Sequence, residues 1–229
     1  MKILILTNDY NCKVVKELKK DTSLNIDVNY EYEYISNKYD VVFAHNYDKI
    51  IPKSYFSIPL LGIFVLHSTD LPKGRGWAPI YYSIARNESI YTISLLKISE
   101  KVDKGNIFIK LKIDKPKIIT NINLREIDED GVIFIINKFI TMCKDKAITK
   151  NTKGLIQDST RATYNDRRTP EDNILNSKDT LEDSIYKILA TNSTYPSFIE
   201  LNGEKIYLGA KLDKHYTLNK LEYKLEVLI

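Results

Sequence analysis

Short apolar runs alternate with amphipathic segments through most of the chain, and this alternation limits the folds it can adopt. Residues 2–6 (Lys-Ile-Leu-Ile-Leu) are the first such run, and a polar loop follows directly. Buried strands separated by helical patterns indicate an α/β fold with a twisted, mostly parallel sheet and helices on both faces. The predicted strands lie at 2–6, 24–34, 41–44, 61–66, 90–98 and 107–113, and the predicted helices at 13–20, 78–86 and 120–143.

Composition excludes several other classes of protein. The longest nearly apolar stretch, 58–66, is far shorter than the roughly 20 residues that a membrane-spanning helix needs. The N-terminal apolar run is too short for a signal peptide, so we expect a cytoplasmic protein with no membrane partner. Cys12 and Cys143 lack the sequence spacing of a zinc site, and we expect reduced thiols and no bound metal.

The charged residues do not predict a nucleic-acid partner. The chain has 34 Lys and Arg against 30 Asp and Glu, a net charge of +4, and the two signs are interleaved along it. Such interleaving is typical of a solvated surface, and no RNA-binding signature is present. The sixteen tyrosines combine an apolar ring with a polar hydroxyl, which is compatible with a sugar or nucleotide pocket.

A change of composition after residue 150 predicts a domain boundary. We expect a main domain at 1–150 and a smaller subdomain of one helix and β-hairpins at 151–229. In the second part, Thr180–Asp183 has the form of a capping box at a helix start. Asn202-Gly203 lies between two short apolar runs and is a strong hairpin signal. The exposed edge of that hairpin could pair with a second copy, so we expect a homodimer.

The segment between the predicted strand 61–66 and the predicted helix 78–86 has the composition of a ligand site. It follows the carboxyl end of a strand, where α/β sheets bind their ligands. His67 in this segment is suited to proton transfer or to hydrogen bonding with a developing oxyanion; the alternative is a loop histidine that satisfies nearby carbonyl groups. Gly74-Arg75-Gly76 matches neither the dinucleotide fingerprint nor the P-loop.

Other polar residues are less informative when taken alone. Asp103 lies two residues before a glycine between two predicted strands, which is typical of a turn residue. His45 and His215 have no recognisable partners in the sequence, and we interpret both as structural or solvent-facing. No hydrolase or kinase signature is present.

Two motifs together resemble the formyltransferases that use N10-formyltetrahydrofolate. This family includes glycinamide ribonucleotide transformylase, methionyl-tRNA formyltransferase and the sugar N-formyltransferases. The motifs are His67-Ser68 with Leu71-Pro72-Lys73-Gly74-Arg75-Gly76, and Val102-Asp103-Lys104-Gly105-Asn106-Ile107. Two further stretches, within 162–172 and 195–205, are similar to the sugar-modifying members. The resemblance covers essentially the whole chain and implies a Rossmann-like formyltransferase fold.

The resemblance implies that His67 and Asp103 are the catalytic pair. In the family's reaction a neutral amine attacks the formyl carbon of N10-formyltetrahydrofolate without a metal. The histidine stabilises the oxyanion, and the aspartate orients the histidine or moves a proton through water. Family members usually carry an asparagine two residues before the histidine, and here Val65 occupies that position. Asn46, at the end of a predicted strand, is a candidate substitute for that amide.

The resemblance also implies which residues bind the two substrates. One wall of the folate slot would include Lys49, Ile50, Ile51 and Ile63, and the opposite wall would be the loop 99–103 with Glu100; the alternative is that Ile51 and Ile63 are plain core residues. For the acceptor, Trp77 and Tyr164 are candidates for stacking or hydrogen bonding, and Asn8 and Arg168 for phosphate oxygens. The alternative for these four is an ordinary surface position.

We therefore expect a sugar N-formyltransferase that acts on a nucleotide-linked amino-deoxyhexose. The 4-amino-4,6-dideoxy sugars of surface polysaccharides, such as lipopolysaccharide O-antigen, are the expected acceptors. A glycinamide ribonucleotide transformylase-like enzyme is the second hypothesis. Methionyl-tRNA formyltransferase is the third, because its C-terminal domain for tRNA is larger and more basic than the C-terminal part of this chain. A non-catalytic protein that binds folate or a nucleotide sugar is supported by Val65 and opposed by His67 and Asp103.

Overall fold

One seven-stranded sheet forms the centre of the computed structural model, which describes residues 1–229. In chain order the strands are β1 (Lys2–Leu6), β2 (Asn25–Asn29), β3 (Val41–Ala44), β4 (Ile63–His67), β5 (Arg75–Gly76), β6 (Ile90–Lys97), β7 (Ile107–Asp114), β8 (Tyr164–Asn165), β9 (Ser197–Leu201), β10 (Glu204–Leu208) and β11 (Tyr223–Val227). The helices are α1 (Lys13–Leu18), α2 (Pro79–Ala85), α3 (Asn121–Lys144) and α4 (Leu181–Ala190). None of them combines the length and apolar character that a bilayer crossing requires.

The sheet is mixed, with most of its strands in one direction. Its order is β11-β7-β6-β4-β3-β1-β2. The pairs β1–β2, β1–β3 and β3–β4 are parallel, whereas β4–β6, β6–β7 and β7–β11 are antiparallel. Five of the seven strands, β1 to β4 and β7, therefore run the same way. This arrangement confirms the predicted α/β class with a mostly parallel sheet.

The two faces of the sheet are covered differently. Along β1, Ile3 and Ile5 enter a cluster of 34 buried residues to which all four α-helices contribute. Leu4 and Leu6 enter a separate cluster of eight buried residues on the other face. Beyond the strands, that second cluster draws its partners from segments 32–39 and 47–58, which contain no α-helix, so the expectation of helices on both faces is wrong. A continuous apolar run along a strand indicates two buried faces but does not identify the element that covers each one.

Helix α3 packs so closely on the sheet that a side chain at one position would force its neighbours to move. A Cβ atom at Gly131 would lie 2.4 Å from Cδ1 of Ile93 on β6. The glycine costs some helix propensity but allows the helix and the strand to approach. The helix begins as the sequence predicts, because the side chain of Thr120 accepts a hydrogen bond from the backbone N–H of Asn123.

The predicted strand 24–34 is shorter in the structure. It ends at Asn29, and residues Tyr32–Tyr34 form a single 3₁₀ turn. The side-chain oxygen of Asn29 accepts a hydrogen bond from the backbone N–H of Glu31 at 2.9 Å. This local turn competes with continued strand pairing at the sheet edge, which an alternating pattern cannot reveal.

The C-terminal part contains the predicted helix and a single hairpin. Thr180 and Asp183 form the expected capping box of α4. Strands β9 and β10 pair around Asn202 and Gly203, whose φ angles of 53° and 82° suit a type I′ turn. Strand β11 is the edge strand of the main sheet and β8 pairs with β5, so the chain returns to the first 150 residues twice. The division at residue 150 and the homodimer stay predictions.

Gly105, in the connection between β6 and β7, provides a test of this packing. A Cβ atom there would lie 1.6 Å from the backbone oxygen of Lys97. We expect Gly105→Ala to lower the free energy of unfolding by about 1–3 kcal/mol, because the clash is with backbone and cannot relax through a rotamer change. Gly209→Ala, with no atom within 4 Å of its added Cβ, is the matched control. Urea denaturation of both variants measures the difference, and equal stabilities would contradict the packing described.

Candidate active site

A histidine from a central strand and an aspartate from a connection between two strands meet in the structure. His67 is the last residue of β4, and Asp103 lies in the connection from β6 to β7. The Nδ1 atom of His67 is 3.6 Å from Oδ1 of Asp103, and the two side chains are 10% and 8% exposed. The structure thus brings together the two residues that the sequence predicts as a pair.

The surroundings of His67 assign the hydrogen on its ring. Its Nε2 atom is 3.0 Å from the backbone oxygen of Gly74. A carbonyl oxygen can only accept, so Nε2 carries the hydrogen in this arrangement. In the neutral ring Nδ1 then presents its lone pair on the side of Asp103. The geometry suits proton acceptance at Nδ1, since the resulting imidazolium would face a carboxylate.

Asp103 is held in a backbone conformation that few non-glycine residues adopt. Its φ angle is 56°. Its Oδ2 atom accepts a hydrogen bond from the backbone N–H of Gly76 at 2.8 Å. The side-chain amide of Gln157 donates to the backbone oxygens of Asp103 and Gly105, at 2.8 and 2.7 Å. These three bonds fix the loop and offset the cost of the left-handed conformation.

A buried arginine supports the same loop. Arg75 is 1% exposed, and its guanidinium forms no ion pair. Its Nη2 and Nε atoms donate to Oε1 of Gln157 at 2.7 and 3.3 Å, and Nη1 donates to the hydroxyl of Tyr164 at 3.2 Å. Hydrogen bonds from Lys104 and Arg75 lower the pKa of Tyr164. Neutral acceptors thus satisfy a full buried charge, and Gln157 connects that charge to the Asp103 loop.

The segment after β4 is anchored on its other side by buried polar groups. Ser68 donates to Oδ1 of Asp128 on α3 at 2.5 Å, and Tyr91 donates to the same atom at 2.8 Å. Burial and the nearby Asp128 raise the pKa of Tyr91 well above its usual value. Lys110 on β7 donates to Asp70 at 2.5 Å and to the backbone oxygen of Leu71 at 2.6 Å. The segment next to His67 is therefore rigidly held.

A polar cavity of about 490 Å³ adjoins this segment. Ser68, the neighbour of His67, lines it, and so do Asn46, Arg125, Asp128, Arg168 and Tyr195. Arg125 and Arg168 form no ion pair; Arg168 donates to Oδ1 of Asn173 and lies over the ring of Tyr81. The volume is in the range of small-molecule sites, and two arginines that form no ion pair suit an anionic ligand, although the carboxylate of Asp128 also lines the cavity.

The two predicted walls of the folate slot are joined by an ion pair. Glu100 contacts Lys53, which follows the first wall closely in the chain. Lys49 is paired with Glu31 at 2.6 Å, and Ile50 is exposed. Ile51 and Ile63 are buried in the smaller core cluster, the alternative that the sequence left open. The binding roles of these residues stay predictions.

Among the predicted acceptor residues, Arg168 alone lines the cavity. Tyr164 is part of β8, Trp77 directly follows β5, and both side chains are exposed. The guanidinium of Arg167 lies over the ring of Trp77. Asn8 lies just after β1, and its backbone N–H donates to the backbone oxygen of Asn46 at 3.3 Å. These roles also stay predictions.

Val65 and Asn46 occupy different surroundings. Val65 is half-buried and packs against the smaller core cluster. Asn46 lines the cavity beside Ser68, with its Nδ2 atom 3.3 Å from Nε2 of His45. An amide is therefore present near the segment that follows His67, and Asn46 stays a candidate for the missing donor.

Sequence reasoning missed Gln157 and the structural role of Arg75. Gln157 is the only glutamine in the chain, but it lies in an irregular segment without periodicity. Nothing in the sequence indicates that it contacts Arg75, which lies 82 positions earlier. Arg75 belongs to the predicted motif, yet an arginine between two glycines does not predict complete burial.

The fold and the His67–Asp103 pair define a Rossmann-like α/β protein with a candidate active site at the end of the central strand β4. A profile of the family described as Formyl transferase matches residues 7–129, more than half of the chain. The chain therefore belongs to the formyl transferase family.

Individual relatives agree with this assignment. Methionyl-tRNA formyltransferase of Pelagibacter ubique is 33% identical over 210 residues, which cover 85% of this chain and 59% of the relative. The chain thus spans less than two thirds of that relative's length. Among solved structures, HypX from Aquifex aeolicus in complex with tetrahydrofolic acid has a TM-score of 0.74 at 16% identity, over 92% of this chain and 37% of that one.

Two further structures match over nearly their whole length. Methionyl-tRNA formyltransferase from Clostridium thermocellum has a TM-score of 0.73 at 24% identity and covers 100% of this chain and 99% of that one. A sugar N-formyltransferase from Shewanella sp. has a TM-score of 0.69 at 18% identity and covers 93% of this chain and 99% of that one. At these identities the structures establish the shared fold.

Replacing Gln157 tests whether its hydrogen bonds to Arg75 and to the Asp103 loop stabilise the candidate active site. Gln157→Leu would leave a buried guanidinium without its main acceptor and two carbonyls without their donor. We expect the free energy of unfolding to fall by about 3 kcal/mol. Gln157→Glu would keep an acceptor for Arg75 but still lose the N–H donors, so its stability should lie between those of Gln157→Leu and wild type. Urea denaturation checks the order, and a Gln157→Leu variant as stable as wild type would contradict it.

Proposed function

We propose that this protein is an N-formyltransferase that moves the formyl group of N10-formyltetrahydrofolate to the primary amine of a nucleotide-linked amino-deoxyhexose. The observation that carries the proposal is the nearly buried His67–Asp103 pair, whose chain neighbour Ser68 lines a polar cavity with two arginines that form no ion pair. Membership of the formyl transferase family supports the reaction. The cavity supports an anionic, small-molecule acceptor.

The reaction requires one new bond, one broken bond and a proton transfer. The acceptor nitrogen attacks the formyl carbon, the bond from that carbon to N10 of the folate breaks, and the attacking nitrogen loses a proton while N10 gains one. His67 can accept the proton at Nδ1, since Nε2–H is already bonded to Gly74. Asp103 then faces the imidazolium. This geometry favours proton transfer by His67 over donation to the oxyanion.

The oxyanion needs a donor of its own. Family members usually supply an asparagine amide at the position of Val65, whose side chain cannot donate. Asn46 is a candidate because it lines the cavity beside Ser68. Loss of one oxyanion donor typically costs ~10²–10³ in rate, so a substitute donor at this place would have a large effect.

The folate would lie between the segment 49–53 and the loop 99–103. The exposed Lys53–Glu100 ion pair joins these two segments at the surface. The exposed side chains of Ile50 and Val102 offer apolar surface on either side, and a flat pteridine ring needs apolar walls of this kind. The tetrahydrofolate in the HypX structure supports a folate site on this fold.

For the acceptor, Arg125 and Arg168 could bind the diphosphate of a nucleotide sugar in the cavity, with bonds of the charge-assisted type. The sugar amine would then be directed towards Ser68 and His67. The sugar N-formyltransferase from Shewanella sp. has the same fold, which is consistent with this substrate class. The interleaved charges of the chain also fit a small anionic acceptor.

Methionyl-tRNA is the second candidate acceptor. The specific observation in its favour is the 33% identity to methionyl-tRNA formyltransferase of Pelagibacter ubique. Both acceptors present a primary amine, so the same His67–Asp103 chemistry would serve either. An assay that offers nucleotide-linked amino sugars, glycinamide ribonucleotide and methionyl-tRNA in parallel separates the candidates.

The catalytic pair is tested by its removal. We expect His67→Asn to lower kcat by about 10²–10⁴, since the variant loses the proton acceptor, and Asp103→Asn to lower it as well. His215→Asn, which changes an exposed histidine paired with Glu126, is the control and should keep wild-type kcat. Tetrahydrofolate release at saturating acceptor measures the rates. A His67→Asn enzyme with full kcat would exclude His67 from the reaction.

The acceptor cavity is tested through Arg168. Arg168→Gln should raise KM for the nucleotide sugar about tenfold or more with little change in kcat, because a charge-assisted bond to phosphate is lost in both ground and transition states. Arg161→Gln, at an exposed position without an ion pair, is the matched control. Unchanged KM in the Arg168 variant would place the acceptor elsewhere.

A further inference from the structure

Three metal-ligating side chains from distant parts of the chain converge beside the cavity. Cys12 immediately precedes α1, His45 follows β3, and Glu129 lies in the middle of α3. Each offers one ligand atom, a sulfur, a ring nitrogen and a carboxylate oxygen, and the three atoms lie within 4.8 Å of one another. None of these residues takes part in the proposed reaction.

The separation of the three atoms fits a single ion. For three atoms no more than 4.8 Å apart there is always a point within about 2.8 Å of all three, against zinc bond lengths of about 2.0–2.3 Å. Small rotations of the side chains close the difference. The set of one thiolate, one imidazole and one carboxylate contains the three ligand types that zinc uses, and it leaves a fourth position for water.

None of the three groups forms an ion pair or a disulfide, and the one side-chain hydrogen bond among them joins Nε2 of His45 to Nδ2 of Asn46 at 3.3 Å. Cys12 and His45 are 6% and 3% exposed, and Cys12 is a free thiol. Glu129 is half-buried and forms no ion pair, although the adjacent Asp130 is paired with Lys13 at 2.6 Å. Charged groups that leave water normally find an ion pair or a metal. The ammonium of Lys13 contacts Asp130, so the carboxylate of Glu129 has no direct ion pair and can offer an oxygen to a cation.

We propose that Cys12, His45 and Glu129 form a binding site for a divalent zinc-type ion. The proposal is independent of the proposed function, and it replaces the expectation of no bound metal, which rested on spacing along the sequence. An ion there would hold the β1–α1 loop, the end of β3 and α3 together. The next residue after His45 and the one before Glu129, Asn46 and Asp128, line the cavity, so the ion would stabilise one of its walls.

Cobalt titration tests the site with a ligand-specific signal. The purified protein is freed of metal with a chelator and titrated with Co²⁺, whose bond to a thiolate absorbs in the near ultraviolet. We expect one equivalent to produce this band and Zn²⁺ to displace it. Cys12→Ser should abolish the band, and Cys143→Ser, the matched control at the other cysteine, should keep it. Glu129→Gln should keep the band but weaken binding about tenfold or more.

A second measurement guards against a variant that fails to fold. Zn²⁺ should raise the Tm of wild type and of Cys143→Ser, because an ion that binds only the folded chain stabilises it, and it should leave the Tm of Cys12→Ser unchanged. The proposal is overturned if wild type gives no cobalt band and no Tm shift. It is equally overturned if Cys12→Ser responds like wild type or if Cys143→Ser loses the response.

Discussion

The buried guanidinium of Arg75 is the interaction on which the candidate active site depends. A full charge removed from water is costly unless every donor finds an acceptor. Arg75 meets no carboxylate and instead donates to Gln157 and Tyr164. Because the amide nitrogen of Gln157 donates to Asp103 and Gly105, the same side chain that satisfies the arginine also holds the aspartate loop. The network therefore fixes Asp103 relative to β5 and β8.

This constraint determines what His67 can do. His67 ends β4 and Asp103 lies in the connection from β6 to β7, so the distance between them depends on the rigidity of both segments. On the side of His67, Gly74 occupies the only N–H of the neutral ring and leaves Nδ1 on the side of the carboxylate. Nδ1 of His67 is therefore a candidate proton acceptor. Val65 stands at the position of the family's asparagine and offers no amide to the oxyanion. Asn46 lines the adjoining cavity and stays the candidate for the oxyanion donor.

The elements that follow from local periodicity were predictable from the sequence. The strands at 2–6, 41–44 and 107–113, the long helix after Thr120 and the Asn202-Gly203 turn are confirmed, since each rests on neighbouring residues alone. The family resemblance predicts that His67 and Asp103 act as a pair, and the structure places their side chains 3.6 Å apart.

Contacts between distant segments could not be predicted in the same way. Gln157 reaches Asp103, and Glu129 reaches Cys12, only because the complete fold brings them together. The covering of one face by irregular segments and the early end of β2 at Asn29 depend on similar contacts and local turns. The most direct test of the central claim follows the formyl carbon. The protein is incubated with N10-formyltetrahydrofolate carrying ¹³C in the formyl group and with the nucleotide-linked amino sugars, and the products are analysed by mass spectrometry. The account predicts one labelled formyl group on the amine of a single acceptor; release of labelled formate with every acceptor unchanged would contradict it.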